Sequence, residues 1–138
     1  MKINFYVGKS SQLRSRLLFA CKLVEKALEQ QLSCYIYLDS LRNCEYMDDL
    51  LWTFKDISFI PHSIYAGQET LPVLLGYGDN PPPDADFLIN LSLHIPDFLS
   101  DFKHVAEVLD QEVEILRAGR KRYVDYRKQG YTLNYYQL

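Results

Sequence analysis

The stretch INFYVGKSSQLRSRLLFACKLVEKALEQQLSCYIYL, residues 3–38, has the pattern of a strand, a helix and a second strand. The runs 3–7 and 34–38 are short, apolar and rich in β-branched and aromatic residues, as buried strands are. Between them, apolar residues recur at spacings of three and four from Leu13 to Leu28, which predicts an amphipathic helix over about residues 11–30. Strands that alternate with a helix at such short spacing indicate a parallel sheet.

The same alternation continues along the rest of the chain. The other predicted elements are a helix capped by Asp39 or Ser40 and ending near residue 54, strands at 72–77 and 86–92, an ambiguous segment at 103–109, and a helix at 111–129 ended by Gly130. The predicted fold is therefore a small, doubly wound α/β domain that comprises residues 1–138, with a mostly parallel sheet and helices on both faces.

The composition is that of a protein that folds without a disulfide, a metal or a membrane. A chain of 138 residues is long enough to bury a sizeable core, and the three cysteines Cys21, Cys34 and Cys44 include no C-x-x-C pair. The first predicted strand begins within three residues of the N-terminus, which leaves no room for a signal peptide, and no apolar run approaches the ~20 residues of a membrane span. We expect a cytoplasmic protein with buried, reduced thiols.

The turn VGKSS, residues 7–11, resembles the end of a phosphate-binding loop. Such a loop needs a second glycine five residues before Gly8, and that position is Ile3. A dinucleotide-binding fingerprint fails too, because the next glycine in the chain is Gly67. A nucleotide-dependent enzyme is therefore only an alternative hypothesis, and Ser10 and Ser11 are interpreted as helix caps.

The polar residues of the sequence form no recognisable catalytic constellation. Ser63 follows His62 directly, so on a strand the two side chains point to opposite faces. Asp48 and Asp49 diverge on the predicted second helix, and His94 has no evident partner. The sequence thus predicts neither an enzyme nor a bound cofactor, and favours a binding function.

A basic segment near the C-terminal end carries the clearest binding signal. Residues 117–128 have six basic residues and one acid, a balance of +5 in a chain whose net charge is −3. Arg120, Tyr123 and Arg127 share one face of the predicted helix, and Leu116 extends it. Arginine beside tyrosine suits single-stranded nucleic acid or an acidic peptide with an aromatic end. The acidic remainder of the chain favours the short peptide.

An aromatic segment, LWTFKDISFIPHSI at residues 51–64, is the second notable stretch. It contains the only tryptophan, Trp52, together with Phe59, Ile60 and Pro61, and it leaves the predicted second helix. Such a segment can pack against the core of its own chain. It can equally form an apolar surface on which a protein partner docks.

Four motifs together resemble the chi subunit family of bacterial DNA polymerase III. They are FYV at the start, LWTFKDISFIPH, DADFLINLS, and RKRYVDYRKQGYTLN near the end, and they occur in the family's order across nearly the whole chain. The resemblance implies a Rossmann-like fold without nucleotide, and it favours a strand for residues 103–109. It also implies a non-catalytic accessory subunit of the clamp loader that works in DNA replication and repair.

The resemblance implies two protein partners, through which DNA is reached only indirectly. One is the acidic C-terminal tail of single-stranded DNA-binding protein (SSB), whose terminal phenylalanine enters a pocket beside the last helix. The other is the clamp-loader subunit psi, or a repair helicase that uses the psi surface in some bacteria.

Two sets of candidate residues follow from the resemblance and from the patterns above. The tail-binding candidates are Leu109, Leu116, Arg117, Arg120, Tyr123, Val124 and Arg127. The candidates for the psi or helicase surface are Trp52, Phe59, Ile60, Pro61 and His62. Leu116 and Val124 depart from the family pattern, which has lysine at both positions, and Arg117, Lys121 or Lys128 can supply the charge from neighbouring turns.

Overall fold

A computed structural model describes residues 2–54, 60–68 and 70–138 of the chain. Its centre is a seven-stranded sheet in which every strand pairing is parallel. The strands are β1 (Lys2–Val7), β2 (Cys34–Tyr37), β3 (His62–Ile64), β4 (Val73–Gly76), β5 (Phe87–Asn90), β6 (His104–Leu109) and β7 (Thr132–Gln137). Their order across the sheet is β3-β4-β2-β5-β6-β1-β7.

Three α-helices cover the two faces of the sheet. They are α1 (Leu13–Glu29), α2 (Leu41–Thr53) and α3 (Val113–Lys128), and a short 3-10 turn spans Leu99–Asp101. Buried side chains of α1 and α2 share one apolar core with β2, β4 and β6, whereas Tyr126 of α3 belongs to the core on the other face. The predicted α/β fold with helices on both faces is therefore confirmed, and 103–109 contains a strand.

The ends of the helices follow the expected local chemistry with one exception. The Ser40 hydroxyl caps α2 by accepting a hydrogen bond from the Asn43 backbone N–H, and Gly130, with φ 89°, follows the C-terminal end of α3. The prediction that Ser10 and Ser11 cap α1 is wrong, because the N-cap is Gln12 and its side chain makes no capping bond. The Ser10 hydroxyl instead accepts from the Gln12 N–H in the turn before the helix.

Both edge strands were absent from the sequence prediction. β3 has only three residues, too few to show an alternating pattern, and it lies inside the aromatic segment at residues 51–64. No element was predicted after Gly130, yet β7 pairs with β1 along its whole length. The sheet is therefore wider than predicted, and its two edges lie close to the two candidate surfaces.

The expectation of buried thiols is confirmed. Cys21, Cys34 and Cys44 are all free and buried. Burial raises the pKa of Cys21 and of Cys34 to about 12 and the pKa of Cys44 to about 11, so the reactive thiolate is scarce at neutral pH. None of the helices in the described part of the chain combines the length and the apolar character needed to cross a membrane.

Candidate protein-binding sites

Helix α3 is held on the sheet by a buried ion pair that the sequence did not reveal. The Arg122 guanidinium donates through Nη2 to Glu107 Oε1 at 2.9 Å, and the two side chains are 4% and 0% exposed. Tyr126 and Asn90 donate to the other carboxylate oxygen of Glu107. The same burial and the neighbouring carboxylate raise the pKa of Tyr126. This network fixes the position of α3 on β6.

The buried pair also changes the charge of the candidate surface. Sequence counting assigned six cations to residues 117–128, but Arg122 is turned inward and neutralised by Glu107. Five exposed cations remain: Arg117, Arg120, Lys121, Arg127 and Lys128. With the half-buried Asp125, the surface balance is +4 rather than +5. Inward orientation of one arginine in a basic run is set by tertiary contacts, so composition alone could not detect it.

The outer side of α3 combines free guanidinium groups with partly exposed rings. Arg120 and Arg127 are exposed, and no carboxylate in the described part of the chain lies within 4.0 Å of either guanidinium. Tyr123 lies between them and is half-buried, with its ring edge-on to Phe5 at 5.2 Å between centroids. Val124 is 48% exposed. The helix thus presents Arg120 and Arg127 on either side of an apolar strip that Tyr123 and Val124 form.

Leu109 and Leu116 support this strip from below. Leu109 ends β6 and is only 3% exposed, whereas Leu116 is half-buried against the same core. A Cβ atom placed on Gly119 would lie 2.3 Å from a methyl carbon of Leu109. The glycine therefore allows α3 to approach Leu109 of its own chain.

The second candidate surface surrounds Trp52 at the opposite edge of the sheet. Trp52 lies in the last turn of α2 with 53% of its surface exposed, and its ring lies over His62 of β3 at 4.1 Å between centroids. Ile60 is half-buried and Pro61 is exposed, while Phe59 lies outside the described residues. These residues place an indole and a proline together on the β3 edge.

His62 itself is buried beneath the indole. It is 6% exposed, and because Nδ1 lies 2.8 Å from the Ile60 carbonyl oxygen, that nitrogen carries the hydrogen and donates. The Nε2 atom points toward Asp48 at 3.8 Å. Burial raises the pKa of Asp48, an effect that His62 and a hydrogen bond from Trp52 partly offset. His62 therefore positions the indole and presents little surface of its own.

The VGKSS turn is occupied by hydrogen bonds within the chain. The Gly8 N–H donates to the Leu109 carbonyl at 2.9 Å, and the Gln111 side chain donates to the Gly8 carbonyl at 3.0 Å. The Gln111 N–H also donates to the Ser10 carbonyl. A phosphate-binding loop needs its backbone N–H groups free to face the phosphate, and that of Gly8 is already used.

The two candidate surfaces lie over different parts of the sheet. The α3 surface adjoins β7 and the Trp52 surface adjoins β3, and these are the two edge strands. Six strand spacings of about 4.8 Å place the edges about 29 Å apart. A small α/β protein with a separate exposed surface at each edge has the form of a protein-binding subunit.

Comparison with known proteins identifies which kind of subunit this is. The family model described as "DNA polymerase III chi subunit, HolC" matches residues 1–134, so the chain belongs to that family. A protein of Pseudomonas aeruginosa named DNA polymerase III subunit chi is 38% identical over 137 residues, which cover 99% of this chain and 96% of the relative.

Two further relatives carry the same name. The protein of Haemophilus influenzae is 27% identical over 118 residues, covering 83% of this chain and 82% of the relative. That of Escherichia coli is 30% identical over 92 residues, covering 64% and 62%. The predicted family is confirmed, and with it a place in DNA replication as an accessory subunit, which fits a non-catalytic role.

Proposed function

We propose that the protein is a non-catalytic adaptor of the clamp-loader complex that binds the acidic tail of SSB through α3. The observation that supports this is the pair of exposed guanidinium groups of Arg120 and Arg127, neither paired with a carboxylate of the described residues, on either side of the half-buried Tyr123. A carboxylate at the end of a peptide can accept a bidentate pair of hydrogen bonds from one guanidinium. The benzyl group of a terminal phenylalanine then packs on Tyr123 and Val124.

The remaining candidates have supporting roles in this proposal. Arg117, Lys121 and Lys128 are exposed on α3 and attract the aspartates of the tail. Leu116 contributes apolar surface where the family has lysine, and Leu109 holds the helix at the correct depth through Gly119. We therefore expect fewer ionic contacts and a larger apolar share than in relatives that have both lysines.

Replacement of Arg120 by alanine is expected to weaken tail binding by about ten-fold to a hundred-fold, because a hydrogen bond to a charged group contributes about 1.5–3 kcal/mol. The measurement is fluorescence anisotropy of a labelled SSB-tail peptide, for which we expect micromolar affinity, about −8 kcal/mol. Affinity should fall as salt is raised. Arg42→Ala, which removes an exposed arginine from α2, is the matched control and should bind as the parent does.

A peptide without its terminal phenylalanine tests the apolar half of the same site. We expect it to bind far more weakly than the full tail, since the ring supplies the buried apolar area. Equal binding of the two peptides, or unchanged binding of Arg120→Ala, would contradict the proposed site.

We further propose that the Trp52 surface docks on a psi-like subunit or on a helicase. Aromatic side chains at the centre of an interface commonly dominate its free energy, and Trp52, at 53%, is the most exposed large ring among the described residues on this edge. Ile60 and Pro61 extend the apolar surface beside it. A partner held here would not overlap a peptide held on α3, because the two surfaces adjoin opposite edge strands.

Trp52→Ala is expected to abolish co-purification with a co-expressed psi subunit from the same organism, because it removes the main apolar anchor. SSB-tail binding by the variant should remain within about two-fold of the parent if the sites are independent. Tyr46→Ala is the matched control, since it removes another exposed ring from α2. Loss of both activities together would indicate misfolding, and full retention of the psi subunit would exclude Trp52 from the interface.

A further inference from the structure

A groove on the α1 side of the sheet remains after the two protein-binding surfaces are assigned. One wall is the side of α1 that faces β7, formed by Ser15, Phe19, Lys22 and Lys26 at spacings of four, three and four. The floor is the same face of β1 and β7. We call this the α1 groove. It lies on the opposite face of the sheet from α3.

Aromatic rings form the middle of the α1 groove. Tyr6 of β1 stacks on Tyr136 of β7 with 5.2 Å between ring centroids and 18° between planes. Phe19 of α1 also contacts Tyr6, with 5.3 Å between ring centroids. Tyr136 is 45% exposed, so one face of this three-ring ladder is open to solvent. Flat, exposed rings of this kind suit planar ligand groups.

The sheet surface beside the rings is polar, which argues against another protein element as the partner that covers the groove. Asn134 Nδ2 donates to Asn4 Oδ1 at 2.9 Å across the two strands, and Asn4 Nδ2 donates to the Tyr6 hydroxyl at 3.4 Å. A sheet face that another protein element buries is normally apolar. Amides and hydroxyls next to rings are instead suited to a ligand that has both flat and polar parts.

Lysines surround a cavity at each end of the groove. A cavity of 440 Å³ at the carboxyl end of the strands is lined by Lys9 and Lys22, and one of 360 Å³ at the other end is lined by Lys2 and Lys26. All four lysines are exposed. Asp110 has the one acidic side chain among the residues that line these two cavities, and it is 2% exposed.

This concentration of positive charge is unusual for the chain. The net charge is −3, so the residues other than these four lysines sum to −7. Arg16, which also lines the first cavity, is not part of the exposed charge, because its guanidinium donates to the carbonyls of Val108 and Leu91. Lysines that act as point charges fit a row of phosphates better than a single carboxylate, for which the arginines of α3 are better suited.

We propose that the α1 groove binds single-stranded nucleic acid directly, in addition to the indirect route through SSB. Phosphates contact the lysines at the two ends, and a base stacks on the open face of Tyr136. The twelve residues from Ser15 to Lys26 span about 17 Å of helix, and β1 with its turn spans a similar length. This matches the lower end of known site sizes, about four nucleotides.

The test is binding of a fluorescein-labelled twelve-residue oligothymidylate to the full chain at 50 mM salt. Four phosphate contacts predict a slope of about −3 for log K against log salt, or about fifty-fold weaker binding at 200 mM. Lys22→Glu with Lys26→Glu should weaken binding by at least about ten-fold. Tyr136→Ala should weaken it by about five-fold or more through lost stacking. SSB-tail binding by these variants should be unchanged.

The matched control is Arg120→Glu with Arg127→Glu on α3, which reverses two charges on the other face and should leave oligonucleotide binding within about two-fold. If this variant lost oligonucleotide binding while the lysine variant kept it, the activity would belong to α3 and the proposal would be overturned. Absence of binding at 50 mM salt would overturn it too. If a twelve-residue glutamate peptide displaced the labelled oligonucleotide as well as unlabelled oligothymidylate does, the groove would be a site for acidic peptides instead. All substituted lysines are exposed, so thermal unfolding should match the parent.

Discussion

Glu107→Ala is expected to lower the free energy of unfolding by about 3–5 kcal/mol. The carboxylate is 0% exposed and accepts hydrogen bonds from Arg122, Tyr126 and Asn90. Its removal leaves the Arg122 guanidinium, on a side chain that is 4% exposed, without a counter-charge, and the Tyr126 hydroxyl loses its acceptor. Urea unfolding followed by circular dichroism measures the loss. Because the network fixes α3 on β6, SSB-tail binding should weaken as well.

Two further variants separate the buried charge from general damage to the core. Glu107→Leu combined with Arg122→Met replaces the pair by apolar groups of similar volume and should be more stable than Glu107→Ala alone. Glu45→Ala removes an exposed acid from α2 and should change stability by no more than about 0.5 kcal/mol. A loss below about 1 kcal/mol for Glu107→Ala would mean that the pair is not buried as described.

Gly76→Ala is expected to destabilise the protein by about 1–3 kcal/mol through overpacking. A Cβ atom at this position would lie 2.1 Å from the Tyr35 hydroxyl and 2.8 Å from two ring carbons. Tyr35 is 0% exposed and its ring stacks on Phe102, so it cannot move aside freely. The free energy of unfolding from urea titration again reports the effect.

A double-mutant cycle that combines Tyr35→Phe with Gly76→Ala tests this explanation. The Tyr35 hydroxyl is buried and has no hydrogen-bond partner in the described part of the chain, so its removal alone should be neutral or stabilising by up to about 1 kcal/mol. In the Tyr35→Phe background, Gly76→Ala should lower the free energy of unfolding by a smaller amount, since the closest contact is gone. Identical losses in the two backgrounds would show that the hydroxyl is not the obstacle.

The sequence predicted the central part of the fold because its signals there are local. Strands such as 3–7 and 34–38 are short, mostly apolar runs, and the three helices show clear periodicity. The edge strands gave no such signal: β3 is three residues long, and β7 has exposed side chains on both faces. Their pairing depends on neighbours that are distant in sequence, which periodicity does not detect.

The candidate surfaces were predicted in part for a similar reason. Residue type and spacing placed Arg120, Tyr123 and Arg127 on one side of α3, and the structure has both arginines exposed with Tyr123 half-buried between them. The same spacing could not show that Arg122 points inward, because its partner Glu107 lies on a different element. Nor did it reveal the α1 groove, since Tyr136 meets Tyr6 only once β7 pairs with β1.

The placement of β1 between β6 and β7 has a consequence for biosynthesis. The partners of Lys2 in the sheet are His104 and Thr132, so the first strand to leave the ribosome is joined by the last two. At about 5–20 residues per second, its second partner appears roughly 6–26 s after it. Until β6 has been synthesised, the apolar FYV run has no strand to pair with, and α1 is the native element that can cover it.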